Sequence, residues 1–189
     1  MPPTGDAQET RRRLVEAAYR EFAAHGIAGA RVDRIAAAAG ANKALIYFHF
    51  GNKDGLFTAV FEMIVSQALA EAPIDAADLP EYAGRLFDAS EAHPDALRLA
   101  TWHRLERAAD QPPIQAVLDA NQAKVDTIAR AQAAGLITTR YTAAEILALV
   151  LTIANMWSVL SPEMHVTAPQ DRATRRALVV SAVTTLIQP

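Results

Sequence analysis

The sequence predicts an all-α fold, and three observations carry that expectation. Apolar residues make up 51% of the chain, with much of that share alanine and few glycines or prolines, a composition that favours packed helices over sheet. Apolar side chains recur at helical spacing along most of its length, and no run alternates as a half-buried strand does. Prolines and the glycines Gly26 and Gly135 fall at the ends of these periodic stretches. At 189 residues the chain can bury a real core in one or two domains. The expected architecture is an N-terminal three-helix head holding a helix-turn-helix, followed by a C-terminal helical bundle, about nine helices in all.

The first helix is expected from about Asp6 to His25, with Leu14, Ala18 and Phe22 one turn apart on an inward stripe and Gly26 just past its end. Two short helices follow near 32–39 and 43–49. A longer one from Lys53 to about Ala72 turns Leu56, Val60, Phe61, Ile64 and Leu69 inward. Pro73, Pro80, Pro94 and Pro112-Pro113 then precede helical patterns at about 80–92, 94–109 and 113–134, as proline in a first turn should. Thr142-Ala-Ala-Glu145 is a capping box that opens a helix to about Leu160. A loop holding Pro162 and His165 leads to a last helix, from Pro169 to about Ile187. The expected domains are residues 1–52 for the head, with helix 53–72 as connector, and 73–189 for the bundle.

The most informative stretch is Val32 to Gly51, VDRIAAAAGANKALIYFHFG. It holds two short helices joined by a tight turn. Small Ala36 lets the helices cross closely, and Gly40 sits where the turn needs a positive φ. Ile35 and Ile46 point inward and pin the crossing. One face of the second helix, with Lys43, Ala44 and Tyr47, is left to enter a DNA major groove.

Composition narrows the alternatives. The chain has no cysteine, which excludes disulfides, thiolate metal sites and cysteine nucleophiles. The N-terminus MPPTGDAQETRRR lacks the apolar core of a signal peptide. The longest apolar run, Ile146 to Leu160, is too short to span a bilayer, so a cytoplasmic protein without membrane attachment is expected. Net charge is −3, yet residues 1–60 carry eight basic against six acidic side chains and residues 61–189 carry ten against fifteen. A basic head on an acidic body suits a nucleic-acid contact confined to one end.

The N-terminal segment RRRLVEAAYREFAAHGIAGARVDRIAAAAGANKALIYFHFGNKDGLFTAVFE resembles the DNA-binding domain of the TetR family of bacterial transcriptional repressors. The match runs in order through Phe22-Ala23-Ala24-His25-Gly26, Ile35-Ala36, Gly40, Lys43, Tyr47, Phe50, Lys53 and Leu56. It covers about a third of the chain; the remainder resembles the family in architecture alone. The resemblance implies that the helix from Asn42 to His49 lies in the major groove of a double-stranded operator. It implies that Tyr47 and His49 meet phosphates and that Lys53 meets the backbone at a helix start, where the dipole favours an anion. Asn42 and Lys43 would donate to base edges or phosphates, and Arg31 and Val32 would approach the backbone. Where the family often has glycine then threonine or asparagine, this chain has Ala44-Leu45. In the groove Leu45 would offer only apolar contact, to a thymine methyl.

Tyr47-Phe48-His49-Phe50 also reads as a hydrophobic plug, the reading preferred for Phe50 and evenly balanced for Phe48. Arg11-Arg12-Arg13 reads as a solvated helix start. In the bundle, Phe87, Trp102, His103, Asn155, Met156 and Trp157 are the candidates to line a cavity for a small-molecule inducer, against ordinary core packing. Asn155 stands out because an amide inside an apolar helix needs a partner: a ligand, a water, or its twin across a dimer. Helix 142–160 is apolar nearly all round and must be covered on both faces. One reading is a buried core helix; the resemblance to the TetR family implies instead that with the last helix it forms a four-helix homodimer interface through Ile146, Val150, Ile153, Leu178, Ala182 and Leu186, and helix-turn-helix readers use two half-sites about 34 Å apart.

His103 and Glu106 are three residues apart, but their order and single copy do not suit a dimetal carboxylate site. No nucleophile–base motif, phosphate loop or HExxH is present. Neither enzyme activity nor a metal or cofactor is expected. The reading is a ligand-responsive, homodimeric repressor of a palindromic operator; its rivals are a fold of the same kind that binds a small molecule or protein without reading DNA, and an all-α enzyme built around His103 and Glu106.

Overall fold

Asn42, Asp78, Thr142, Ser161 and Asp171 each offer a side-chain oxygen to a backbone amide two or three residues ahead, and a helix begins after each. These caps satisfy amides that the first turn of a helix leaves unpaired. The computed structural model describes residues 4–106, 112–168 and 170–188, and every regular element among them is helical. In order these are α1 (Thr4–Gly29), α2 (Val32–Ala38), α3 (Lys43–Phe50), α4 (Lys53–Glu71), α5 (Leu79–Ala92), α6 (Pro94–Glu106), α7 (Gln115–Ala133), α8 (Ala143–Val159), α9 (Pro162–Thr167) and α10 (Arg172–Ile187).

Three boundaries differ from the sequence expectation. Gly26 does break the first helix, with φ 72 and ψ 177, but another turn follows to Gly29. The expected loop around Pro162 and His165 is the short helix α9, opened by the Ser161 cap and Pro162 in its first turn. The last helix begins after Asp171, whose carboxylate accepts from the Thr174 amide. Pro169, the expected opener, lies outside the described residues, as do positions 107–109 of the helix expected at 94–109. The capping box is present in full: Thr142 accepts from the Glu145 amide while the Glu145 carboxylate accepts from the Thr142 amide and hydroxyl. Those hydrogen bonds hold the Glu145 carboxyl below the usual carboxylate range.

The chain packs into two compact units, and the division falls inside α4. One unit is Met1–Ser66 with Asp95–Val117; the other is Gln67–Pro94 with Leu118–Pro189. The first therefore takes in α6. Its core joins Leu14, Phe22, Ile35, Ile46, Leu56, Phe57 and Val60 to Leu99 and Ile114, with Phe22 edge-on to Phe57 at 5.3 Å. Along α4, Leu56, Val60 and Phe61 are buried as expected, Ile64 is half-buried and Leu69 is exposed.

In the second unit α5 packs against α8 and α10, around Tyr82, Phe87, Ile128, Ile146, Val150, Ala154 and Val179. Ion pairs tie α10 to α5. Arg176 reaches Asp88 at 2.8 Å and Glu81 at 2.5 Å, Arg175 reaches Glu91 at 3.1 Å, and Arg172 also meets Asp88. Ile146 and Val150, expected at an interface between subunits, are each 0% exposed within this unit; α5 already covers that side of α8. No described helix is long and apolar enough to cross a membrane.

Candidate nucleic-acid interface

The helix-turn-helix is set by residues whose neighbours leave them little choice. Ile35 and Ile46 are fully buried where α2 meets α3, with Ala36 and Ala39 almost so. Gly40 has φ 60, and the amides of Gly40 and Ala41 return to the carbonyls of Ala37 at 3.1 Å and Ala36 at 2.9 Å. That pattern ends α2 within one left-handed residue, where a side chain would be strained. Asn42 then restarts the helix, its Oδ1 accepting from the Ala44 amide at 2.9 Å.

Once Ile46 is buried, the turn of 100° per residue decides which α3 side chains face out. Leu45 and Phe50 are half-buried and pack on the head core. Lys43, Ala44, Tyr47 and Phe48 are exposed, Tyr47 at 46% and Phe48 at 79%. His49 lies between, half-buried, its ring against those of Phe48 and Phe50. The face thus offers an ammonium and a phenol beside an alanine and a bare phenyl ring. Leu45, a groove candidate in the sequence, is half-buried and packs against the head core with part of its side chain still exposed. Phe48 takes the exposed apolar place, and its adjacency to the plug residue Phe50 is what made it ambiguous in the sequence.

Both lysines in or beside α3 are engaged. Lys43 Nζ meets Asp33 at 2.9 Å; this hydrogen bond holds the Asp33 carboxyl below its ordinary range and raises the Lys43 ammonium above its own. Lys53 is half-buried at the start of α4 and donates to the carbonyls of Ala28 at 3.3 Å and Ala30 at 3.4 Å. It therefore helps to fix the α1–α2 junction. Arg31 is exposed at the cap of α2, with its amide on Glu21 at 2.9 Å, and Val32 packs on the head core. Arg34 Nε donates to Glu21 at 2.7 Å. Burial of Glu21 opposes its ionisation, but the hydrogen bonds from Arg34 and the Arg31 amide outweigh that and lower its pKa. In the arm, Arg12 is paired with Glu9 and Glu16, and the Arg11 guanidinium lies 5.3 Å from the Phe50 ring centre.

Similarity to known proteins fits this geometry. The profile of bacterial regulatory proteins of the tetR family matches residues 14–60, and that of the tetracyclin repressor-like C-terminal domain matches residues 78–184. The HTH-type transcriptional repressor SCO4008 of Streptomyces coelicolor is 42% identical over 160 residues, which cover 84% of this chain and 83% of its own. The chain belongs to the tetR family. It is a DNA-binding transcriptional regulator. The crystal structure of SCO4942 from Streptomyces coelicolor shares 41% identity and a TM-score of 0.81, covering 95% of this chain and 99% of that one. NalD of Pseudomonas aeruginosa, the secondary repressor of the MexAB-OprM multidrug efflux pump, shares the fold at a TM-score of 0.69 with 19% identity, over 98% of both chains.

The residues expected to line an inducer cavity fall in both units. Phe87 and Trp157 are core residues of the second unit, 1% and 4% exposed, and Asn155 and Met156 are half-buried on the same α8. Trp102 and His103 belong to the other unit. There the His103 ring lies 5.9 Å from Phe57 and 4.9 Å from Phe61, and Glu106 accepts from the Ala28 amide at 2.7 Å. Four of the six thus lie in the second unit and two in the first, where α6 also carries Leu99 into the head core. Asn155 Nδ2 donates to the Leu151 carbonyl at 2.8 Å. Of the interface candidates, Leu178 is exposed and Ile153, Ala182 and Leu186 are half-buried.

Proposed function

We propose that the chain is a homodimeric repressor that places α3 of each subunit in one half of a palindromic operator and releases it when a small-molecule inducer binds the second unit. The observation that carries this reading is the exposed α3 face, where Lys43, Ala44, Tyr47 and Phe48 stand clear of a core that holds the helix rigidly by Ile46. Asn42 and Lys43 supply donors to phosphates or base edges, Tyr47 and His49 meet the backbone, and Lys53 and Arg31 flank them. Repression is favoured by the relative SCO4008, whose name describes it as a repressor.

A second copy is supported by the outer face of α8 and α10. Ala144, Ala148, Leu149 and Thr152 on α8 and Ala177, Leu178 and Ser181 on α10 are exposed and uncharged. Leu149 and Leu178 are 36% and 43% exposed. Glu145, one turn before Leu149, is the charged exception on this side of α8, and an otherwise uncharged helical face is what a paired subunit buries. Inducer release requires different affinities for the two states; a 100-fold loss of operator affinity needs about 2.7 kcal/mol of coupling.

The test is selection of bound duplexes from a random library at near-physiological salt, with light scattering on the same sample. A dimer that enriches a palindrome with two equivalent half-sites supports the reading. A folded protein that enriches no sequence overturns it in favour of a binding module that does not read DNA.

A further inference from the structure

Two of the four exposed α3 side chains can hydrogen-bond and two cannot. Lys43 and Tyr47 are one turn apart, and Ala44 and Phe48 form a parallel apolar strip beside them. Phe48 is 79% exposed, more than any other aromatic side chain among the described residues. Its ring makes an edge contact with His49 at 5.0 Å and takes no part in the head core. The other apolar candidate on this helix, Leu45, is half-buried and packs against that core.

A phenyl ring carries no donor or acceptor, so in a major groove it cannot read the hydrogen-bonding edge of any base. The apolar group displayed there is the 5-methyl of thymine. We propose that Phe48, with Ala44 leaving room beside it, reads a thymine methyl and is the side chain through which α3 selects a base by apolar contact. This rests on the operator reading above and adds a division of labour to it. Lys43 and Tyr47 supply affinity that tolerates many sequences, while Phe48 supplies preference at one or two positions of each half-site. The methyl is what is recognised, so 5-methylcytosine at that position is better accepted than cytosine.

The test uses the duplex enriched from the random library, with each thymine of a half-site replaced in turn by deoxyuridine, which removes one methyl and keeps the pairing. The wild-type protein is expected to lose about 3- to 5-fold in affinity at one or two positions, the size of one buried methyl. Phe48→Ala should be insensitive at those positions and Phe48→Leu partly sensitive. The thermal midpoint of Phe48→Ala should match wild type, because the ring is exposed. If no thymine is sensitive, or Phe48→Ala keeps the same sensitivity, the inference is overturned while operator reading stands. A uniform loss by Phe48→Ala on every duplex also overturns it, since a wedge between base steps acts that way. If no duplex enriches, both readings fall.

Discussion

The Glu106 carboxylate accepts a hydrogen bond from the Ala28 amide at 2.7 Å, across 78 residues of sequence. It lies at the end of α6 and holds the segment between Gly26 and α2 from one side. Lys53 holds the carbonyls of Ala28 and Ala30 from the other. Two long side chains of opposite charge thus fix the turn that sets the entry of α2, and with it the position of α3. Glu106→Ala should cost about 1 kcal/mol, the usual net worth of one such bond near the surface. Amide exchange at Ala28 should rise while that of Ile46 stays slow, which hydrogen exchange read by NMR would check.

Ile46 is fully buried between α2 and α3 and has no contact surface to offer DNA. Ile46→Ala should destabilise the protein by about 3 kcal/mol, the loss of a large aliphatic group together with the cavity left behind. Operator affinity measured well below the unfolding midpoint should fall less than the affinity of a Tyr47→Ala variant. Urea unfolding and fluorescence anisotropy on one protein sample separate the two effects.

Asp33 occupies the Lys43 ammonium, so a phosphate must displace it. Asp33→Asn removes both the competitor and a negative charge close to the DNA. Affinity for the selected duplex should rise about 3-fold at low salt, with the gain fading as salt screens it. Anisotropy titrations at two salt concentrations would show this; unchanged affinity would mean that Lys43 does not approach the backbone.

Glu21 gives the head a pH dependence. Its pKa is lowered in the folded state by Arg34 and the Arg31 amide, against the effect of burial. A depressed carboxyl contributes stability that is fully present above its unfolded value and is lost as the pH falls through the folded one. Wild-type stability should therefore decline below about pH 4.5. Glu21→Gln should be less stable at pH 7 and lose less on acidification. Thermal melts from pH 7 to 3 would test the sign.

Local chemistry made much of this molecule legible in the sequence. Gly40 and the Thr142–Glu145 capping box act within a few residues of themselves, and the Ile35–Ile46 pair lies within one helix-turn-helix, so spacing alone identifies them. Partnership over distance was not legible. The periodicity of α6 says that one face is buried but not against what, and Leu99 takes it to the head core with Trp102 and His103. Ile146 and Val150 carry the same pattern whether they face α5 or another subunit. Asn155 reads in the sequence as an amide in need of a partner, and its Nδ2 finds one in a carbonyl one turn back. The six-residue α9 is too short to show a period, although Ser161-Pro162 is a local signal for a helix start.

If the exposed α3 face reads DNA, the double variant Lys43→Ala, Tyr47→Ala should lose binding while keeping its fold. Both side chains are exposed, so the thermal midpoint should stay within about 2 °C of wild type, as for surface changes worth under 0.5 kcal/mol. Anisotropy on the selected duplex should then show at least about 30-fold weaker binding and a shallower dependence on salt, by about one phosphate contact per subunit. Equal affinity and an equal salt slope in a folded double variant would contradict the account and leave α3 with no role in recognition.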